Sequence, residues 1–256
     1  MTIPADGAAW LQLVRSSMPP FWSVLAESTG GRTWESDGVT AAIVPRSPQR
    51  SFFNSVLYDD PTSLVATIDE LAGVYAQAGV KAWTVWVPEA DTQVANALEA
   101  AGHRLDATPR AMAMPLTELV APEPDPELEI REEADYELVS KLNEVAYGFA
   151  PGEFPAMRGE LSAMRAYFGS IDGETVGCAG AFTNGSDCEI VYVAVLPEGR
   201  GRGISGRLMA RALADAAEQG LETTTLQATK LGYPVYVKLG YRDYGELQMW
   251  ERRERH

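Results

Sequence analysis

DCEIVYVAVLPEGRGRGISG, residues 187–206, joins three signals in one short stretch. An apolar, largely β-branched run from Ile190 to Leu196 reads as a buried strand. A Pro197-Glu198 turn follows, then arginine alternating with glycine, then LMARALADAAEQG, whose apolar spacing is helical. A strand therefore feeds a helix through a glycine loop. Gly199, Gly201, Gly203 and Gly206 let main chain approach a ligand closely, and the first helical turn offers unpaired N–H groups at the positive end of the helix dipole. Arg200 and Arg202 add formal positive charge beside it. The guest suited to this junction is a phosphate or pyrophosphate.

Spacing narrows the choice. No GKS or GKT follows, as a P-loop requires, and GRGRGISG does not supply GxGxxG with an acidic residue near the end of a following strand. Arg200-Gly201-Arg202-Gly203-Ile204-Ser205 instead resembles the R/Q-x-x-G-x-G/A signature of the GNAT acetyltransferase family. Glu189 to Val195 resembles the family's fourth strand, and Pro234-Val235-Tyr236-Val237-Lys238-Leu239-Gly240-Tyr241 its late helix, commonly ending Y-x-K/R-L-G-F/Y. Ser205 departs from the signature, standing where the family has Gly or Ala, with Gly206 just after it. A small hydroxyl there is expected to leave the loop geometry intact.

The resemblance implies an α/β (α+β) GNAT fold, a mixed central sheet flanked by helices, with acetyl-CoA as co-substrate and no metal. It assigns the pyrophosphate to the loop formed by Arg200, Gly201, Arg202, Gly203, Ile204, Ser205 and Gly206. It assigns the acetyl carbonyl and pantetheine amides to the strand backbone at Val193, Ala194 and Val195, where the strand end is splayed. Tyr236 falls at the position of the family's general acid for the leaving thiolate, against the plainer reading of a tyrosine that packs. Glu189 matches a glutamate used as base by some members; it reads equally as a solvated strand-end residue beside Asp187, and a water relay can replace it. Tyr192, on the opposite sheet face from Glu189 by strand alternation, is expected in the core, and His103 is expected to be structural.

Composition bounds the partners. The 256 residues carry 36 acidic and 21 basic side chains, a formal net charge of −15. Such a chain repels nucleic acid and anionic membrane, so a cationic or neutral amine acceptor fits better. Cys178 and Cys188 are too few for a disulfide framework or a metal site and read as reduced core residues. No secretory or spanning segment opens the sequence, and a cytoplasmic protein, compatible with a homodimer, is expected. The hairpin ahead of residue 187 is expected to turn near Asn184-Gly185, with Cys188 opposite Ala181.

Along the chain, the first helical pattern stops at Met18-Pro19-Pro20, a helix is expected at Pro61–Gln77, and another at Met157–Met164. The order helix, strand, helix, strand occurs twice, AQAGVKAWTVWV aligning with AEQGLETTTLQA. This predicts a tandem: a degenerate GNAT-like half at 1–120, an extended, solvated Pro-rich linker at 121–127 and a catalytic half at 128–256. Mycothiol synthase has a loosely similar arrangement. Where the first half would place its anion loop it reads Tyr58-Asp59-Asp60-Pro61-Thr62, whose carboxylates repel a pyrophosphate; Asp60 or Thr62 reads as an N-cap. The sequence leads to an acetyl-CoA-dependent N-acetyltransferase, with a non-catalytic acyl-CoA sensor and a GNAT using a longer acyl-CoA as competing readings.

Overall fold

The first elements of the computed structural model, which describes residues 3–159 and 161–254, are α1 (Gly7–Ser28), β1 (Arg32–Ser36), β2 (Val39–Ile43), β3 (Ser55–Tyr58), α2 (Pro61–Gln77), β4 (Ala82–Pro88), α3 (Thr92–Ala100), β5 (Arg104–Ala107) and β6 (Arg110–Pro115). Then come β7 (Glu129–Glu132), α4 (Tyr136–Tyr147), β8 (Met164–Ile171), β9 (Glu174–Asn184), β10 (Asp187–Val195), α5 (Ile204–Glu218), β11 (Thr223–Ala228), α6 (Tyr233–Leu239) and β12 (Arg242–Arg253). The expected mixed α/β architecture is present. Met157–Met164 is not a helix among the described residues: Gly159 sits at φ +92°, a left-handed conformation incompatible with helix propagation.

α1 does not stop at its prolines. Pro19 and Pro20 lie inside the helix, although each forfeits an N–H bond to the preceding turn, a cost of roughly 3 kcal/mol. Met18, Phe21, Trp22 and Leu25, at i, i+3, i+4 and i+7, are all buried, each contributing about 1.5–3 kcal/mol. Packing overrides local preference. α2 is held at its start as expected: the Asp60 carboxylate accepts from the amides of Thr62 and Ser63.

Contacts divide the chain into two units. One comprises residues up to Ser17 with Ala111–Tyr244, the other Met18–Arg110 with the residues from Gly245 onward. This division differs from the expected cut at 121–127, because strands near each boundary complete the other unit's sheet. Leu247–Arg253 of β12 pair antiparallel with Pro88–Ala82 of β4, while β6 lies beside β11 and puts Met112 and Met114 into the later unit's core.

The later unit has the strand order β6-β11-β10-β9-β8-β7. β7 to β10 are antiparallel neighbours, and β10 and β11 are parallel. α5 covers one face, its Leu208, Met209, Leu213 and Ala216 packing with Ala179, Ala181, Cys188 and Ile190. α4 covers the other, where Asn143 reaches Cys178. The β9–β10 hairpin turns at Gly185-Ser186, so Cys188 faces Thr183 and Ile190 faces Ala181, a shift from the expected register. Cys178 faces Ala194; both cysteines are free and buried. The other unit has the order β1-β2-β3-β4-β12, its core built on α2, α3 and the buried strand β4.

Candidate active site

Among the described residues, β10 pairs with β11 only at Asp187↔Thr223, Cys188↔Thr224 and Glu189↔Thr225. Both strands continue, to Val195 and Ala228, but apart. The splay expected of this strand is therefore present, and it leaves the β10 edge beyond Glu189 unpaired. A register shift against β9 between Val191 and Ala194 accompanies it. At that bulge Tyr192 takes φ +53°, a left-handed conformation that costs an L-residue roughly 1–2 kcal/mol. Bulges bend the strand and re-aim side chains. Tyr192 is accordingly turned to the Glu189 face, contrary to simple alternation: its ring packs on Phe154 at 5.0 Å, while Val193 and Val195 pack against the α5-side core. Tyr192 is nonetheless buried, as expected.

From Val195 the chain runs through a single 3-10 turn, Pro197–Gly199, into α5. Gly203 is the N-cap at φ +72° and no side chain caps the helix. The first α-helical bond ends on Gly203, donated by Arg207, which leaves the amides of Ile204, Ser205 and Gly206 without helical partners. Arg200, exposed, and Arg202, half-buried, lie at this end and are already engaged. Arg200 donates to the carbonyls of Val195 (3.4 Å) and Ala146 (3.0 Å); Arg202 pairs with Glu127 at 2.6 Å. Sequence reasoning missed Arg207, whose guanidinium braces the loop from behind on the carbonyls of Arg202 (2.7 Å) and Glu123 (2.8 Å). Its partner Glu123 lies in the segment expected to be a solvated linker.

Glu189 and Asp187 are not solvated strand-end residues. Asp187 is buried and accepts from the hydroxyls of Ser17, Thr223 and Thr225 at 2.6–2.9 Å; burial raises its pKa and those hydroxyls partly offset the rise. Glu189 is 0% exposed. Its Oε1 accepts from Gln227 at 3.0 Å, and its Oε2 has no hydrogen-bond partner among the described residues. Burial pushes its carboxyl well above the usual range, against the opposing effect of Gln227.

Two phenols belong to the same unit. Tyr236, on α6, is buried, and burial raises its pKa, with Tyr147 adding to the rise; its ring meets Tyr241 at 6.1 Å. Gly232 makes room for it, since a Cβ there would lie 2.7 Å from the Tyr236 hydroxyl. Tyr147, at the end of α4 and not singled out by any sequence motif, is 51% exposed, yet its hydroxyl donates to the Val193 carbonyl at 2.8 Å.

The corresponding junction of the other unit, β3 to α2, is closed by the Asp60 cap. His103 is structural as expected: it is buried with Nδ1 3.2 Å from the Leu98 carbonyl, edge-on to Trp83, and burial lowers its pKa to about 4. No cluster of metal-ligating side chains occurs among the described residues, and no described helix is long and apolar enough to cross a membrane.

A strand that splays from its neighbour and delivers the chain to an uncapped helix N-terminus is the geometry implied by the GNAT resemblance. Residues 125–241 match the model of the acetyltransferase (GNAT) family. Over this segment the chain is similar to the GNAT acetyltransferases. Solved structures share the fold over most of the chain. A GCN5-related N-acetyltransferase from Kribbella flavida matches with a TM-score of 0.68 at 17% identity, covering 93% of this chain and 96% of that one. One from Sphaerobacter thermophilus matches at 0.60 and 15%, covering 98% and 94%. A tandem GNAT protein from the clavulanic acid biosynthesis pathway matches at 0.58 and 14%, covering 84% and 78%. Comparison with curated proteins finds no match.

Proposed function

We propose that this enzyme transfers the acetyl group of acetyl-CoA to a primary amine of a small molecule or peptide, by direct attack in a ternary complex. The observation that carries the reading is the continuity of the unpaired β10 edge with the uncapped N-terminus of α5. An extended ligand with amides along its length and a pyrophosphate beyond them matches that order of groups. Amides of such a ligand pair with strand backbone as an added strand does, and its phosphates meet the free N–H groups of Ile204, Ser205 and Gly206.

In the reaction the amine nitrogen bonds to the thioester carbon, and the carbon–sulfur bond breaks. Proton transfers accompany this. The ammonium proton passes to Glu189, directly or through water, once that carboxyl has ionised. The departing thiolate takes the Tyr236 hydroxyl proton, which a dry environment keeps in place until then, and the second nitrogen proton, released as the amide forms, passes through water to restore the Tyr236 hydroxyl. We also propose the tandem reading as a repeat along the sequence, a GNAT-like half at 1–120, a linker at 121–127 and the catalytic half at 128–256, with the last strand of each half folded into the other unit. The repeated element order, the parallel pairing of β3 with β4 as of β10 with β11, and the likeness to a tandem GNAT protein support it.

The test mixes the protein with acetyl-CoA and a panel of cationic and neutral amines and follows free thiol. Amine-dependent thiol release with a matching acetylated product is expected. Tight CoA binding without release for any amine would favour the binding module instead.

A further inference from the structure

The free edge of β10 is not idle. Its Val193 carbonyl accepts the Tyr147 hydroxyl at 2.8 Å, and one residue earlier the Ala146 carbonyl accepts from Arg200 at 3.0 Å. Both contacts tie the last turn of α4 to the strand and loop that the proposed site uses. The Arg200 Nε also reaches the Val195 carbonyl, so one guanidinium spans from the strand end to the helix end. α4 terminates immediately after, at Gly148, whose φ of +70° is the left-handed stop of the helix.

From this geometry we infer that Tyr147 and Arg200 form a latch that holds the ligand edge closed until acyl-CoA displaces it. The inference rests on the reading of the cleft as an acyl-CoA site. A backbone carbonyl at a strand edge is the acceptor an incoming ligand amide needs, and the Tyr147 hydroxyl already occupies that acceptor. Arg200 is a cation three residues before the N-cap Gly203, and its Nη2 is committed to the Ala146 carbonyl. Part of the binding free energy of the ligand is then spent on opening, as for any ligand whose competent state is not the resting one. Tyr147 is thus a residue that sets the affinity for the co-substrate.

The consequence runs against the usual effect of deleting a polar group from a binding site. Tyr147→Phe keeps the ring, and with it the contact to Phe149, but releases the Val193 carbonyl. A typical hydrogen bond has a modest net value, so CoA should bind about 2- to 10-fold more tightly to the variant by calorimetry. KM for acetyl-CoA should fall in step with the calorimetric Kd. The same bond steadies the ligand-free fold, so the variant should melt slightly below the parent, by no more than the increment gained in affinity; this control is run on the same samples. Unchanged or weaker CoA binding by a folded Tyr147→Phe protein, with the parent binding normally, overturns the latch and leaves the acyl-CoA site standing. Absence of CoA binding by the parent itself overturns both.

Discussion

Tyr236 and Glu189 are where residue-scale chemistry can be checked. If the Tyr236 hydroxyl protonates the thiolate, Tyr236→Phe preserves packing and CoA affinity and lowers kcat; acid–base steps contribute about 100- to 10,000-fold, and the low end fits a leaving group as stable as a thiolate. A wild-type rate under chemistry-limited conditions would reduce Tyr236 to a packing residue. For Glu189 the sign follows from burial. Its folded pKa lies above the unfolded value near 4.5, so the folded state binds the extra proton, and stability falls as pH rises from about 4.5 through the raised pKa. Glu189→Gln retains a neutral group beside Gln227 and should weaken that decline, although Asp187, raised in the same direction, keeps part of it. Urea melts of both proteins between pH 5 and 9 measure the difference; parallel curves would mean that Glu189 ionises freely in the fold. If Glu189 is the base, the parent's rate rises over the same range and the Gln variant loses that rise.

At the scale of elements, the β10-loop-α5 unit carries the ligand claim. Gly203→Asp places a carboxylate at the N-cap, where the proposed pyrophosphate lies, and its Cβ meets the Arg207 guanidinium at 2.8 Å. That guanidinium can shift, so the variant should fold while its CoA affinity drops at least about tenfold through charge repulsion; unchanged affinity by calorimetry would move the site elsewhere. This unit was legible in the sequence because its signals are local: glycines, arginines, an apolar run and a helix pattern follow one another. What was not legible depends on distant partners. The hairpin register and the Tyr192 bulge are decided by packing across β9, so alternation put Tyr192 on the wrong face. Arg207 and Tyr147 act on segments far from their own positions, Glu123 and Val193, and no motif marks them. The burial of Glu189 likewise comes from what covers β10, which composition cannot show. In α1, packing of Met18, Phe21, Trp22 and Leu25 overruled a proline pair that local rules read as a stop.

Over the whole molecule, the repeat in element order was visible, whereas the interleaved units were not, since strand exchange leaves no local signature. The asymmetry between the two strand-to-helix junctions is the central functional claim. One ends in Gly203 with open amides, the other in Asp60, which fills its own helix end and brings a negative charge held below the usual carboxylate range by Ser63 and the amides it accepts from. Only the first suits an anion. Calorimetric titration of the full chain with acetyl-CoA tests this most directly: one site per chain, abolished by Gly203→Asp, is the predicted result, and either two equivalent sites or none would contradict it.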